Sequence, residues 1–234
     1  MTSDQQRMSG NLTRLALLAA LLCSSLPAVA ANDAAEAREH VVRAETTLAH
    51  FMDDPKMSWV QQNISRAKAV VIVPEVVKIG FVFGGAGGRA VALARKQDTG
   101  KWAGPVFYNL AAASVGFQAG VQVSEVLILV MTEKGLNSLL ATSAKLGGDA
   151  SVAAGPVGIG AGGEVVTDMV SFSRSQGLYG GLSLNGSVLQ VNADWNVAYY
   201  YPKITPVDIF VRFELEDPQA TALREALRKD TAQR

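Results

Sequence analysis

Apolar residues recur at three- and four-residue steps over 34–53, at Ala37, Val41, Ala44, Leu48, Phe51 and Met52. That period puts them on one face and predicts an amphipathic helix. Glu36, Arg38, Glu39, Arg43 and Glu45 fill the other face, with Glu39 placed to support Arg43 four residues on. Asp53-Asp54-Pro55 closes the helix, and a second short helix is expected from Ser58 to Ala67. From Ala69 the pattern turns to strands. Val70-Val71-Ile72-Val73 is a β-branched run stopped by Pro74, and Ile79 to Phe83 is another. Arg89 to Lys96 and Lys101 to Leu110 flank Asp98-Thr99-Gly100, a hairpin signal. Phe117, Ala119, Val121 and Val123 alternate with Gln118, Gly120, Gln122 and Ser124. Val126 to Met131 has no polar break and predicts a strand covered on both faces.

Thr132 reads as an N-cap, followed by the stripe Leu136, Leu139, Leu140 and Ala144, with Lys145 in the last turn and Gly147 ending the helix. Further on, Gly158, Gly160 and Gly162 would leave one face of a strand bare, so that another backbone could approach or the sheet could bend. Asn185-Gly186, flanked by Leu182, Leu184 and Val188, predicts a tight hairpin. Val191, Ala193, Trp195, Val197, Tyr199 and Tyr201 then alternate with polar residues, as do Ile209, Val211 and Phe213 with theirs. Residues 219–229 predict a terminal helix with Leu223, Ala226 and Leu227 inward. The fold class that follows is α+β: a single domain with a mostly antiparallel, glycine-rich β-sheet or barrel-like sheet, a few packed helices, and a signal peptide ahead of it.

The N-terminus changes the compartment. Arg7 and Arg14 precede the apolar stretch Leu15 to Leu26, and Ala28 and Ala30 form an A-x-A cleavage signal. These parts predict a secretory signal peptide over residues 1–30, a membrane anchor being the alternative. The expected location is periplasmic or secreted. Cys23, the one cysteine, offers a lipoprotein lipidated at that residue as the alternative, although Leu22 stands where a small residue is usual. Cleavage would leave no disulfide, thiol nucleophile or thiolate metal site. The 234-residue chain balances 21 basic against 21 acidic residues, and losing Arg7, Arg14 and Asp4 leaves a net charge of −1. No global field draws nucleic acid to such a surface.

Gly85-Ala86-Gly87-Gly88-Arg89-Ala90 satisfies the loose dinucleotide pattern G-x-G-x-x-A. That chemistry needs a helix behind the glycines with its first amides facing a pyrophosphate. Only Val91 to Lys96 follows before a turn, and the acidic residue expected some 20 positions on is missing. The glycines are better read as backbone shapers. His40 and His50, the two histidines, lie ten residues apart and off a common helix face, so they make no metal pair. Glu125, Glu133, Glu164 and Asp168 show no acid/base spacing. An enzyme would need Glu164, Asp168 or His50 gathered in one deep pocket; no catalytic, cofactor-binding or metal residues are assigned.

One ordered set of motifs remains: Gly84-Gly85-Ala86-Gly87-Gly88 before a strand, Gly100-Lys101-Trp102-Ala103-Gly104-Pro105, Gly116-Phe117-Gln118-Ala119-Gly120, Gly155-Pro156-Val157-Gly158, Tyr179 in "SRSQGLYGGLSLNG", and Tyr199-Tyr200. In order and spacing it resembles the SYLF domain family. The resemblance implies a non-enzymatic module that binds lipid, phosphoinositides or a membrane surface, with actin binding in some eukaryotic members. In those members lipid binding is associated with a basic N-terminal amphipathic segment, whereas helix 34–53 carries mixed charge. The expected organisation is a signal peptide at 1–30, an N-terminal amphipathic helix at 31–59, a SYLF-like domain at 60–201, and a C-terminal strand and helix extension at 202–234. Arg89, Arg95, Lys96 and Lys101 bracket the Asp98 hairpin beside Trp102, a basic-aromatic group fit for a lipid interface. The same five residues also read as a solvated hairpin with Trp102 in the core. The function expected is lipid or membrane binding in the cell envelope; the alternative is a structural or protein-interaction component without lipid.

Overall fold

The computed structural model describes residues 26–80, 83–115, 120–155, 167–175, 178–180, 183–200, 204–212 and 218–232. Residues 1–25 with Cys23, then Phe117 and Ala119, the glycine segment 158–162, Glu164, Leu182, Tyr201 and Phe213 lie outside them. Helix α1 spans Leu26–Asp53 and α2 Ser58–Asn63, with 3-10 turns at Pro55–Met57 and Ile64–Arg66. Strands β1 (Ala69–Gly80), β2 (Phe83–Arg95), β3 (Trp102–Val115) and β4 (Gly120–Val130) follow. After helix α3 (Glu133–Leu140) come β5 (Ser143–Lys145), β6 (Val152–Ala154), β7 (Met169–Ser175), β8 (Leu178–Gly180) and β9 (Val188–Val191). Helices α4 (Ala193–Tyr200), α5 (Pro206–Phe210) and α6 (Thr221–Ala232) complete the described chain.

The strands pair in the order β5-β9-β3-β2-β1-β4-β7-β6, with β8 beside β7. Every pairing is antiparallel except β6 on β7. The sheet curls into a half-barrel, an α+β single domain as the patterning predicts. Helices cover both faces. On one, α1, α2, α4 and α6 bring Val41, Leu48, Phe51, Val60, Trp195, Leu223 and Leu227 against Val70, Ile72, Leu93, Phe107 and Leu127. On the other, α3 and α5 bring Leu139, Ile209 and Phe210 against Val71, Val106, Tyr108 and Ile128. Two-sided cover is why 126–130 is apolar without alternation.

Seven local expectations change. Asn185-Gly186 turns the chain but closes no hairpin, because β9 after it finds its partners in β3 and β5 and β8 before it pairs with β7. Ile79 to Phe83 is not one run of strand, since β1 ends at Gly80 and β2 begins at Phe83. Pro74 does not stop β1: the strand carries one extra residue there relative to both neighbours, between Ile72 and Glu75 against β2 and between Val73 and Val76 against β4. A bulge is where a central strand tolerates a residue with no N–H. The glycine cluster does not precede a strand but lies within β2, which continues as strand to Arg95 with no helix behind Gly88. Helix α3 ends at Leu140, because Ser143–Lys145 finds a ladder partner in β9. Residues 193–200 are helix: Asn192 Oδ1 accepts from the Trp195 amide at 3.1 Å. Asn196 bonds both backbone groups of Phe107, taking the place of a strand. Trp195 and Tyr199 satisfy a four-residue period as well as alternation, and the cap decides between them. Ile209 and Val211 do not continue a strand, because Thr205, Pro206 and Asp208 form a capping box with Pro in the first turn.

Thr132 caps α3 as expected, its Oγ1 accepting from the Gly135 amide at 3.1 Å. That hydroxyl donates in turn to Asp168 at 2.6 Å, and Asp168 also accepts from the Ser151 amide at 2.9 Å and hydroxyl at 2.7 Å. Burial pushes the Asp168 carboxyl up, but these hydrogen bonds and Lys134 outweigh it and hold the group at about 2. Asp168 therefore ties the α3 cap to the parallel β6–β7 pair.

Two neighbouring glycines differ in kind. A Cβ on Gly88 would lie 2.3 Å from the Glu75 carbonyl oxygen and 3.0 Å from Val73 Cγ1, so the bulge at Pro74 requires a bare backbone opposite it. A Cβ on Gly87 would meet only the Leu110 carbonyl at 3.5 Å, an ordinary contact. Gly88→Ala is expected to cost about 1–3 kcal/mol in urea denaturation, whereas Gly87→Ala is neutral or gains up to about 1 kcal/mol. Equal midpoints for the two variants would refute the bulge constraint.

Candidate functional site

The apolar stripe of α1, Ala37, Val41, Ala44, Leu48 and Phe51, is buried. A second stripe runs one residue ahead of it, at Glu36, His40, Arg43, Thr47 and His50, about 100° round the helix. Every member meets the sheet. Glu36 pairs with Arg89 at 3.2 Å, and His40 Nε2 meets the Arg89 carbonyl at 2.8 Å. Arg43 pairs with Glu75 at 2.6 Å. His50 Nδ1 lies 2.9 Å from Glu125, and Thr47 donates to the same carboxylate at 3.5 Å. Arg174 donates to Glu125 at 2.8 Å. In the sheet these partners form one row: Arg174 opposite Glu125, Glu75 opposite Arg89, Arg89 opposite Asn109 and Asn109 opposite Gln190.

The row is a border. On one side of it the face is packed beneath the helices. On the other side the same face of β3, β2, β1 and β4 continues as Ala111, Gly87, Val77 and Val123, then Ala113, Gly85, Ile79 and Val121. Ile79 is 58% exposed, Val121 68% and Val123 50%. No charged residue stands on those two rows, and among the described residues nothing covers them. Single exposed apolar residues are ordinary; a contiguous uncharged patch marks a contact surface.

Where border and bare face meet, a cleft of about 430 Å³ opens between α1 and the sheet, lined by His40, Arg43, Glu75, Val77, Gly87 and Arg89 among others. The Arg89 guanidinium stacks 4.3 Å from the Trp195 ring, and Trp195 also packs against His40. Burial, with the nearby Arg43 and Arg89 charges, outweighs the bond to the Arg89 carbonyl and lowers His40 to about 4. The ring is neutral at pH 7. Its Nε2 therefore carries the hydrogen that the Arg89 carbonyl accepts.

The five residues singled out from the sequence do not share one surface. Arg95, Lys96, Lys101 and Trp102 come together at the β2–β3 turn, where Arg95 faces Trp102 across the ladder. Arg95 donates to the Ser65 carbonyl, Lys96 lies 3.6 Å from Asp98, Lys101 is exposed, and Trp102 is only 6% exposed within the core. Arg89 stands six positions back along β2, about 20 Å away, on the border row. The carboxylates are dispersed too: Glu125 on the border, Glu133 paired with Lys68 at 2.6 Å, and Asp168 at the α3 cap. Among the described residues no cluster of three or more possible metal ligands forms, and no helix is long and apolar enough to cross a membrane. Sequence reasoning missed Glu36, Arg43, Glu75 and Trp195. The three-and-four-residue recurrence of polar groups at 36, 40, 43, 47 and 50 was the available signal.

His40 gives the border a pH dependence. Its folded value lies below the ordinary 6.5, so the unfolded chain takes up the proton first, and stability falls as pH drops from about 6.5 to 4. His40→Gln keeps a donor for the Arg89 carbonyl and removes the titration. By pH 4 the wild type should have lost roughly 3 kcal/mol more than this variant, relative to pH 7, in urea denaturation. Parallel curves for the two would contradict a neutral buried His40.

A family profile described as Ysc84, Las17-binding protein actin regulator, matches residues 111–230, just over half of the chain. The match takes in 202–230, set apart above as an extension; helix α6 there packs Leu223 and Leu227 into the core. The SH3 domain-containing YSC84-like protein 1 of Bos taurus is 32% identical over 169 residues, 70% of this chain and 49% of that protein. Its Homo sapiens counterpart is 31% identical over 169 residues, again 70% and 49%. Protein YSC84 of Saccharomyces cerevisiae is 33% identical over 146 residues, 58% of this chain and 30% of that protein. The chain spans about half the length of the mammalian relatives and less of the yeast one. No solved structure matches. The ordered glycine and aromatic motifs, the profile match and these relatives agree: the chain belongs to the Ysc84 (SYLF) family.

Proposed function

We propose that this protein is a non-enzymatic membrane-binding module, exported to the cell envelope by its N-terminal leader, that lays the bare face of β1–β4 on lipid. The observation that carries this reading is the uncharged double row ending in Ile79, Val121 and Val123, bordered by a charged row. Such a face has an apolar floor and a polar rim, the arrangement an interfacial protein needs. Burying three half-exposed aliphatic side chains supplies on the order of 3–5 kcal/mol, which corresponds to roughly millimolar affinity. The association is therefore peripheral and reversible.

The matching family's description as a Las17-binding actin regulator supports a second reading, in which the same face takes a protein partner. Co-sedimentation separates the two. Val121→Asp/Val123→Asp charges the bare face at exposed positions, where the fold should tolerate it within about 0.5 kcal/mol for each substitution. Mature wild-type protein should pellet with phosphatidylethanolamine/phosphatidylglycerol vesicles, and the double variant should stay in the supernatant with its melting temperature nearly unchanged. Wild type that ignores vesicles yet pellets with actin filaments would move the assignment to the second reading.

A further inference from the structure

The cleft at the border holds charges of both signs within reach of the bare face. Arg43 and Arg89 have side chains 46% and 51% exposed, and their partners Glu75 and Glu36 are 45% and 41% exposed. Each of these ion pairs engages one guanidinium nitrogen, and a guanidinium has five N–H donors in a planar fork. Each carboxylate likewise keeps acceptor capacity beyond its pair. His40 is neutral, so Arg43, Arg89, Glu75 and Glu36 sum to zero. A simple anion would find both arginines already matched, and a simple cation would find both carboxylates matched. A ligand carrying both signs a few ångströms apart replaces the ion pairs with equivalent ones and leaves no charge stranded.

The floor fits the same purpose. Gly87 lines the cleft, yet nothing in the described chain needs its face bare, since a Cβ there meets only an ordinary 3.5 Å contact. Val77 lines the cleft as well and belongs to the row that leads through Val123 to Ile79 and Val121. A polar compartment thus opens directly onto an apolar one, the shape of a single amphiphile.

We propose that this cleft binds the headgroup of a zwitterionic phospholipid bearing a primary ammonium, with Arg43 and Arg89 donating to its phosphodiester, Glu75 accepting from its ammonium, and its acyl chains lying along the bare face. The proposal rests on the membrane reading above and adds the headgroup to it. A primary ammonium suits Glu75 because it donates N–H bonds to a carboxylate, which a quaternary ammonium cannot do.

The test is co-sedimentation of the mature protein with three vesicle types: phosphatidylcholine alone, phosphatidylcholine with phosphatidylethanolamine, and phosphatidylcholine with phosphatidylglycerol. Partition onto the phosphatidylethanolamine vesicles should be about fivefold stronger than onto either of the others. The Arg43→Gln/Glu75→Gln double variant removes one charge of each sign, leaves the net charge unchanged, and should abolish that preference while retaining the weaker binding to phosphatidylcholine. Gly87→Val fills the floor with a residue that suits a strand and should abolish the preference too. Thermal melts of both variants establish that they are folded. Equal partition onto all three vesicles, stronger partition onto phosphatidylglycerol, or a preference that survives the double variant overturns the headgroup assignment and leaves the membrane reading standing. Wild type that pellets with none of the three overturns both, and a dimer by size exclusion would then give the bare face to a second copy.

Discussion

Helix α1 can sit in only one place on the sheet, and the polar row fixes it. Its apolar stripe supplies the energy: each buried Val, Leu or Phe stabilises by about 1.5–3 kcal/mol. The half-exposed ion pairs at Glu36 and Arg43 are worth at most about 1 kcal/mol apiece. An apolar stripe alone would tolerate sliding along an apolar sheet, since valine against valine reads much the same one turn later. The polar stripe does not, because a shift of one turn would take His40 from the Arg89 carbonyl and Arg43 from Glu75. The weaker interactions thus set the position and the stronger ones set the stability. Everything else about the site follows from where the helix stops covering the sheet.

Much of this was legible in the residues. Three- and four-residue spacing gave α1 and its buried face, the Asp98 turn gave a hairpin, and the unbroken 126–130 run gave a strand covered on both sides, whereas Asn185-Gly186 turns the chain between strands that pair elsewhere. Where two periods coexist, patterning was insufficient. Trp195 and Tyr199 fit a strand and a helix equally, and the side chains of Asn192 and Asn196 decide by bonding the backbone at Trp195 and Phe107. Thr205-Pro206-Val207-Asp208 carried its helix signal openly, but alternation of Ile209 with Val211 masked it. Pro74 reads as a strand end in sequence; only two neighbouring strands can reveal it as a bulge.

The candidate site was less legible because it is a relation between distant segments. Arg89 was visible as a lone cation after glycines, but its partners Glu36 and Trp195 come from α1 and α4. Grouping by nearness in sequence joined Arg89 to the hairpin basic residues, which lie at the far end of the same strand. Strand geometry separates what the chain lists together, and helix α1 joins what the chain keeps apart. The glycine cluster shows both effects within two residues: Gly88 answers to the bulge behind it, and Gly87 to nothing the described chain contains.

The order β4-β1-β2-β3 is that of a Greek key, and it sets the timing of assembly during synthesis. Strand β1 can pair with β2 as soon as residue 95 is made, but its other edge waits for β4, whose last residue is 130. Through that interval Val70-Val71-Ile72-Val73 presents an unpaired, uncharged, β-branched edge, the kind of segment that recruits strands from other chains. Pro74, which carries no N–H, follows that run at once. The open edge then passes outward, to β4 until β7 is made and to β3 until β9 is made, so this nascent chain carries an unpaired strand edge until residue 191.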